Sequence, residues 1–181
     1  MMTKLKWTIK GRLEIVYTGT LKNMSVYTGW AELDGYGRGE CFNGVKIGAW
    51  EYFHKTGQLM LREGYDEHGL RHGYSRSFHL NGQLDMEEYY ENGKLSGESS
   101  FYWEDGSLHK KISHTPEGYT SEVKSYYEGT SVLHMHQLFE RYQGKKGWRT
   151  RLLKEVWYHE NGALWVESRY RNGVLVEEIR P

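Results

Sequence analysis

The sequence predicts an all-β fold: an elongated antiparallel meander of stacked β-hairpins in a single sheet, with little or no helix. Three observations carry this expectation. Turn-forming glycines recur every 11 to 13 residues over most of the chain, a ring–leucine–ring pattern repeats about every 25 residues, and apolar content is low while rings are abundant. Hydrophobic residues make up 38% of the 181, but there are 15 Tyr, 7 Trp and 5 Phe. Tyr and Trp suit a half-wet sheet, because one end of each is apolar and the other keeps a hydrogen bond to water.

Residues 1–41 are the least regular part and are expected to form degenerate N-terminal capping strands. Alternating segments at Lys4–Lys10 and Leu13–Tyr17 are compatible with strands. Tyr17-Thr18-Gly19 recurs as Tyr27-Thr28-Gly29, and Gly35, Gly37 and Gly39 are expected to interrupt regular structure. Terminal repeats are usually atypical, because one face lacks a neighbour.

From residue 42 to 181 the pattern tightens into a repeat array. Phe53, Phe78, Tyr102, Tyr127 and Tyr158 are each followed six residues later by leucine, at Leu59, Leu84, Leu108, Leu133 and Leu164. Six residues further on come Tyr65, Tyr90, His114, Phe139 and Tyr170. The intervals between successive units are 25, 24, 25 and 31 residues, so one insertion precedes the last. Between ring and leucine lie Gly57, Asn81-Gly82, Asp105-Gly106 and Asn161-Gly162, the strongest short hairpin signal, because both residue types tolerate positive φ. The fourth unit has Ser131 where glycine is expected and Gly129 two residues earlier, which predicts a different turn there. A second set of turns falls at Asn43-Gly44, Gly69, Asn92-Gly93, Gly118, Gly144 and Asn172-Gly173.

This cadence leaves seven or eight residues for each strand and no room for crossover helices, so sequential strands must pair antiparallel. Prolines stand only at 116 and 181, which leaves interior strands their full complement of backbone donors. The insertion near 143–154 is expected to lengthen a hairpin loop. It contains Lys145, Lys146, Arg149, Arg151 and Lys154 around Trp148, which could anchor a partner as an apolar residue flanked by positive charge. Ile179, near the C-terminus, marks an edge strand through which a second copy could pair, giving a homo-oligomer.

Charge narrows the function classes. With 24 basic and 24 acidic residues the net charge is zero, so nothing steers the whole molecule toward nucleic acid or anionic membranes. The single Cys41 provides neither a disulfide framework nor a Cys-pair zinc site and is expected to be a buried thiol. The first 15 residues carry interleaved charges instead of the apolar core of a signal peptide, so a cytoplasmic location is expected.

The motifs Phe53-His54-Lys55-Thr56-Gly57-Gln58-Leu59, Phe78-His79-Leu80-Asn81-Gly82-Gln83-Leu84, Tyr102-Trp103-Glu104-Asp105-Gly106-Ser107-Leu108 and Tyr158-His159-Glu160-Asn161-Gly162-Ala163-Leu164 share one outline. Connecting segments from Gly44 to Trp50, Gly69 to Tyr74 and Gly93 to Gly97 join them. Together these resemble the MORN-repeat variant of bacterial proteins over about residues 42–175. The resemblance implies a twisted antiparallel sheet of stacked hairpins. It further implies a non-catalytic protein-binding role, of the antitoxin or immunity type, with a toxin as partner. The fourth unit and His114 depart from the pattern. A membrane-associating MORN scaffold with Lys145 near headgroups is the alternative, against which the neutral charge argues, and a small-ligand enzyme is the second.

No constellation of residues points to catalysis or to a cofactor. His54, His79 and His159 occupy one repeat position, shared by Trp103, so repetition accounts for them. His134 and His136 would share a strand face as a metal pair could, but no third ligand stands at a readable spacing. His68 and His72 are split by Gly69, and Gly93-Lys94-Leu95-Ser96-Gly97 opens no helix. Asp85, Glu87, Glu88 and Glu91 read as a solvated strand face paired with basic neighbours. No metal is expected. What remains is an aromatic surface, with Trp50, Tyr52, Tyr74, Tyr89, Tyr90, Tyr102, Trp103 and Trp148 as candidate partner contacts.

Overall fold

The computed structural model describes residues 28–33, 36–145 and 147–181, and the described residues contain strands and turns but no helix. Most of the expected N-terminal cap therefore lies outside the described residues. The chain divides into two units, residues 1–83 with 90–93, and residues 84–89 with 94–181. The fold is an all-β antiparallel meander.

In the first unit β1 (Gly29–Leu33), β2 (Gly37–Phe42), β3 (Val45–Phe53), β4 (Leu59–Tyr65) and β5 (Gly73–Phe78) pair in sequence order. Gly37 and Gly39 do not end the strand, contrary to the expectation from composition, although the ladder to β3 shifts register at Gly39. They sit in β2, opposite the aromatic strand β3, with Gly37 in register with Tyr52. A Cβ on Gly39 would fall 2.5 Å from the Trp50 ring, and one on Gly37 would fall 2.9 Å from Tyr52. The glycines leave out side chains so that the rings can lie on the backbone. The core formed there is small: Ala31, Cys41 and Trp50, with Leu33, Tyr52 and Tyr65 packed against it.

In the second unit β6 (Leu84–Glu91, its last two residues belonging to the first unit) is followed by the short β7 (Lys94–Leu95) and β8 (Gly97–Tyr102). Then come β9 (Leu108–His114), β10 (Thr120–Tyr126), β11 (Leu133–Gly144), β12 (Gly147–Tyr158), β13 (Leu164–Arg171) and β14 (Val174–Ile179). β6 pairs with β8, and from β8 onward each strand pairs with the next.

The repeat anchors have a structural meaning. Phe53 pairs with Leu59, Tyr102 with Leu108 and Tyr158 with Leu164, so ring and leucine close each hairpin across its turn. The register shifts by one residue at each of these rings. The turn explains the shift. His54 N–H donates to the Gln58 carbonyl, Gly57 N–H donates to the His54 carbonyl, and Gly57 adopts φ +84°. This is a type I turn followed by a left-handed glycine that forms a bulge. The same bonds recur around Gly82, Gly106 and Gly162.

Asn-Gly therefore serves in two different turns. Asn43-Gly44, Asn92-Gly93 and Asn172-Gly173 have positive φ at both residues, as a two-residue type I′ turn requires. Asn81, Asp105 and Asn161 lie outside that region, and their side-chain oxygens instead accept the N–H two residues on, at 2.8 to 2.9 Å. The expectation of positive φ at both positions thus fails for this set, because the bulge places the left-handed residue at the glycine alone. The fourth unit differs as expected: Tyr127 N–H reaches the Val132 carbonyl and Gly129, two residues before the repeat's glycine position, takes φ +68° in a longer loop.

The expected loop at 143–154 is a correction. Gly144 pairs with Gly147, so the extra residues extend β11 and β12 to 12 residues each. Alternation along both strands lets the additional backbone groups pair with each other instead of with water.

Candidate protein-binding surface

Three strands of the first unit place the site. Gly48 and Ala49 on β3 lie in register with Tyr65 and Gly64 on β4, and His72 joins them through its N–H bond of 2.9 Å to the Gly64 carbonyl. A Cβ on Gly64 would fall 2.2 Å from the His72 carbonyl oxygen, so only glycine permits this approach. Gly48 has open space where a side chain would be. The result is a groove of about 280 Å³ whose floor is largely bare backbone and whose lining includes Arg62, Glu63, His72, Tyr74 and Arg76.

Arg62, Arg76 and His72 line the groove beside one carboxylate, Glu63. Arg62 on β4 is directly opposite Arg76 on β5, an arrangement that costs stability when two like charges face each other. Glu51 relieves part of this. Its carboxylate lies 4.0 Å from Arg62 and is held at 2.7 Å by Arg38. The Arg76 guanidinium stacks over the Tyr74 ring at 4.6 Å, leaving Tyr74 53% exposed. Arginine and tyrosine together offer a planar donor and a stiff apolar face, the residue types that dominate protein interfaces.

Behind the groove runs a half-buried polar chain. Lys46 Nζ donates to the Tyr52 hydroxyl and stands over the rings of Trp50, Tyr52 and Tyr65 at 4.6, 4.9 and 5.6 Å. Tyr65 donates its hydroxyl proton to Glu63. Glu63 is 4% exposed and is met by Arg71 at 2.9 Å, an ion pair whose angle falls outside hydrogen-bond geometry. Arg71 then donates to the Tyr90 hydroxyl at 3.0 Å and stacks on its ring. Burial pushes the Cys41 thiol and the Tyr52 and Tyr65 phenols up and the Lys46 ammonium down. Cys41, Tyr52 and Tyr65 are thereby held in their protonated, unreactive forms.

The structure separates the candidate residues. Trp50 is corrected: it is 0% exposed, and its indole N–H donates to the Glu40 carbonyl at 2.8 Å, so it fills the core and presents no surface to a partner. Tyr52 and Tyr90 belong to the polar chain. Tyr89 and Tyr102 are half-buried and engaged within the protein. Trp103 packs on His109 with ring centres 3.9 Å apart. Only Tyr74 and Trp148 of the eight are exposed, and they lie in different units. Arg62, His72 and Arg76 also line the groove, and no ring or turn signal marks them in the sequence. Counting outward from the Asp66–Leu70 turn pairs Tyr65 with Arg71 and would set Arg62 opposite Tyr74; the register slips by two residues before Arg62 meets Arg76, so the turn alone does not reveal that pair.

The histidines also resolve. His134 lies 4.5 Å from the Tyr127 ring and 5.2 Å from that of Trp157, while His136 bonds Glu122 at 2.6 Å. Among the described residues no three His, Cys, Asp or Glu side chains cluster as a metal site.

Hairpins built on a ring–leucine pair, a left-handed glycine and a bulge, repeated along a meander, are the decisive observation, and the family model for the MORN repeat variant matches residues 71–92, 85–101 and 152–172. Over residues 71–101 and 152–172 the chain is similar to the MORN repeat variant. The first two MORN matches span β5 through β8 and take in Tyr74, Arg76 and Tyr90; the third covers the β12–β13 hairpin. The irregular turn at Gly129 falls outside the matched MORN segments. No curated protein matches the chain.

Proposed function

We propose that the chain is a non-catalytic, cytoplasmic protein-binding module whose partner is another bacterial protein, in an antitoxin or immunity role. MORN repeats are generally binding and scaffold modules. The observation that carries the reading is the exposed Tyr74, braced by Arg76 and set over a backbone-floored groove whose cationic lining outnumbers its single, internally paired carboxylate. A groove of this kind suits an acidic side chain of a partner, because an arginine forks onto a carboxylate while the adjacent ring excludes water.

Affinity capture from the native cell tests the reading, with Tyr74→Ala and Arg62→Glu as folded controls. A partner retained by the wild-type chain and lost, by at least tenfold, from both variants supports it. Correctly folded wild-type protein that retains no partner, or variants that bind as well as wild type, count against it. The antitoxin role is tested separately: co-expression must restore growth to cells producing the protein of the adjacent reading frame.

A further inference from the structure

The hairpin of β11 and β12 carries a second surface. β10 pairs with β11 only as far as Leu138, and β13 pairs with β12 only from Lys154. Among the described residues, 139–144 and 147–152 consequently have only each other as strand partners, and they form a two-stranded ribbon. Its β11 edge is occupied. Arg141 reaches back to Glu117 at 3.2 Å and stacks on Tyr119 at 4.6 Å, across the neighbouring turn. The β12 edge, from Gly147 to Leu152, has no such cover among the described residues, and alternate residues along any strand turn their N–H and C=O groups outward.

The ribbon has two unlike faces. Gln143 pairs with Trp148, Arg141 with Thr150 and Phe139 with Leu152, which places Phe139, Trp148 and Leu152 on one side. Trp148 is 50% exposed and is held from one side by the Arg141 guanidinium at 4.4 Å. Tyr142 pairs with Arg149 and Glu140 with Arg151, which gives the other side its charge. Arg151 bonds Glu140 at 2.5 Å and stacks on Tyr142 at 4.7 Å, while Arg149 is exposed.

We propose that the outer edge of β12 receives an extended segment of a partner protein as an added strand, and that this segment alternates acidic with apolar residues. Strand period fixes that alternation. A segment laid beside Gly147–Leu152 sends successive side chains to opposite faces, one toward Trp148 and Leu152 and the next toward Arg149 and Arg151. Backbone hydrogen bonds supply affinity, and the two faces supply selectivity. An anionic membrane would use the charge but not the backbone edge, and a nucleic acid would use neither the edge nor the apolar face. The site rests on the protein-binding reading only in taking a protein segment as its ligand, since it lies in the other unit from Tyr74.

The test is fluorescence anisotropy with a labelled eight-residue peptide of alternating Glu and Val. Controls are a block peptide of the same composition, the alternating peptide N-methylated at every second residue, polyglutamate, phosphatidylserine vesicles and duplex DNA. Binding of the alternating peptide is expected, weakened at least tenfold by Trp148→Ala, by Arg149→Glu and by N-methylation, and unchanged by Tyr74→Ala. Absence of binding, equal binding of block peptide or polyglutamate, or preference for vesicles or DNA overturns it. If the peptide fails while partner capture still depends on Tyr74, the ribbon proposal alone falls.

Discussion

Gly39→Ala isolates the reason for glycine in β2. Gly39 has no positive φ, so the backbone itself would accept alanine. The obstacle is Trp50: the new methyl would lie 2.5 Å from two ring atoms and 2.6 Å from a third. The ring cannot retreat cheaply, because it is fully buried and anchored through its N–H to Glu40. Overpacking costs about 1–3 kcal/mol, and a buried donor pulled from its acceptor costs about 1–3 kcal/mol more. Lowered unfolded-chain entropy returns about 0.4–1 kcal/mol. A net loss of about 3 kcal/mol follows, or a melting temperature lower by roughly 6–12 °C for a chain of this size. Urea unfolding followed by circular dichroism measures it, in wild-type and Trp50→Leu backgrounds. The cost should shrink by about 1 kcal/mol or more where the ring is absent, as contacting residues couple. Gly39→Ala at wild-type stability, or with the same cost in both backgrounds, would refute the steric argument.

Gly57→Ala should cost about 1–2 kcal/mol for a different reason, the left-handed backbone alone; nothing lies within 4 Å of its absent side chain, so a Trp50→Leu background should leave that cost unchanged. Glu63→Ala removes a buried carboxylate and strands the Tyr65 hydroxyl, but Arg71 is 43% exposed and regains water, so about 2 kcal/mol is expected instead of the 3–5 typical of a fully buried pair; a loss below about 0.5 kcal/mol by urea unfolding contradicts the packing described. Burial holds His114 and His109 below the ordinary histidine value of 6.5, although Glu88 pulls His114 the other way. Their neutral forms are favoured in the fold. The stability they contribute is complete above pH 6.5 and is lost as pH falls through 6.5 toward their folded values. The urea midpoint should therefore drop between pH 7.5 and 5, and less so in His114→Gln, where the Ser99–His114 contact of 2.9 Å no longer titrates.

The repeat itself was legible because its signals are local. Ring, turn glycine and leucine sit within seven residues, and the turn that joins them fixes the pairing of Phe53 with Leu59 without help from distant parts of the chain. Asn172-Gly173 and Asn161-Gly162 show where such reading stops. Both are Asn-Gly, yet the first closes a two-residue loop and the second a bulged three-residue loop, a choice made by the spacing of the flanking strands and not by the dipeptide. The extension of β11 and β12 is hidden for a related reason. Composition marked it as basic and polar, whereas the register of Gly144 with Gly147 depends on strand alternation that charged residues satisfy as well as apolar ones.

Burial was the part the sequence hid. Trp50, Ser75 and Ser99 each follow by two residues a glycine in the left-handed region, Gly48, Gly73 or Gly97, so they occupy one repeat position. All three are buried. The position demands only a side chain that its cross-strand neighbours can cover: serine serves where a hydrogen bond is at hand, as between Ser99 and His114, and tryptophan serves where Gly39 clears the space. A ring at that position is consequently core. Tyr74, one residue earlier in its unit than buried Ser75, projects from the opposite face of β5, where the strand period sends it out to the groove. The difference between a core ring and a contact ring is thus one step along a strand, counted in β3, β5 and β8 from Gly48, Gly73 and Gly97.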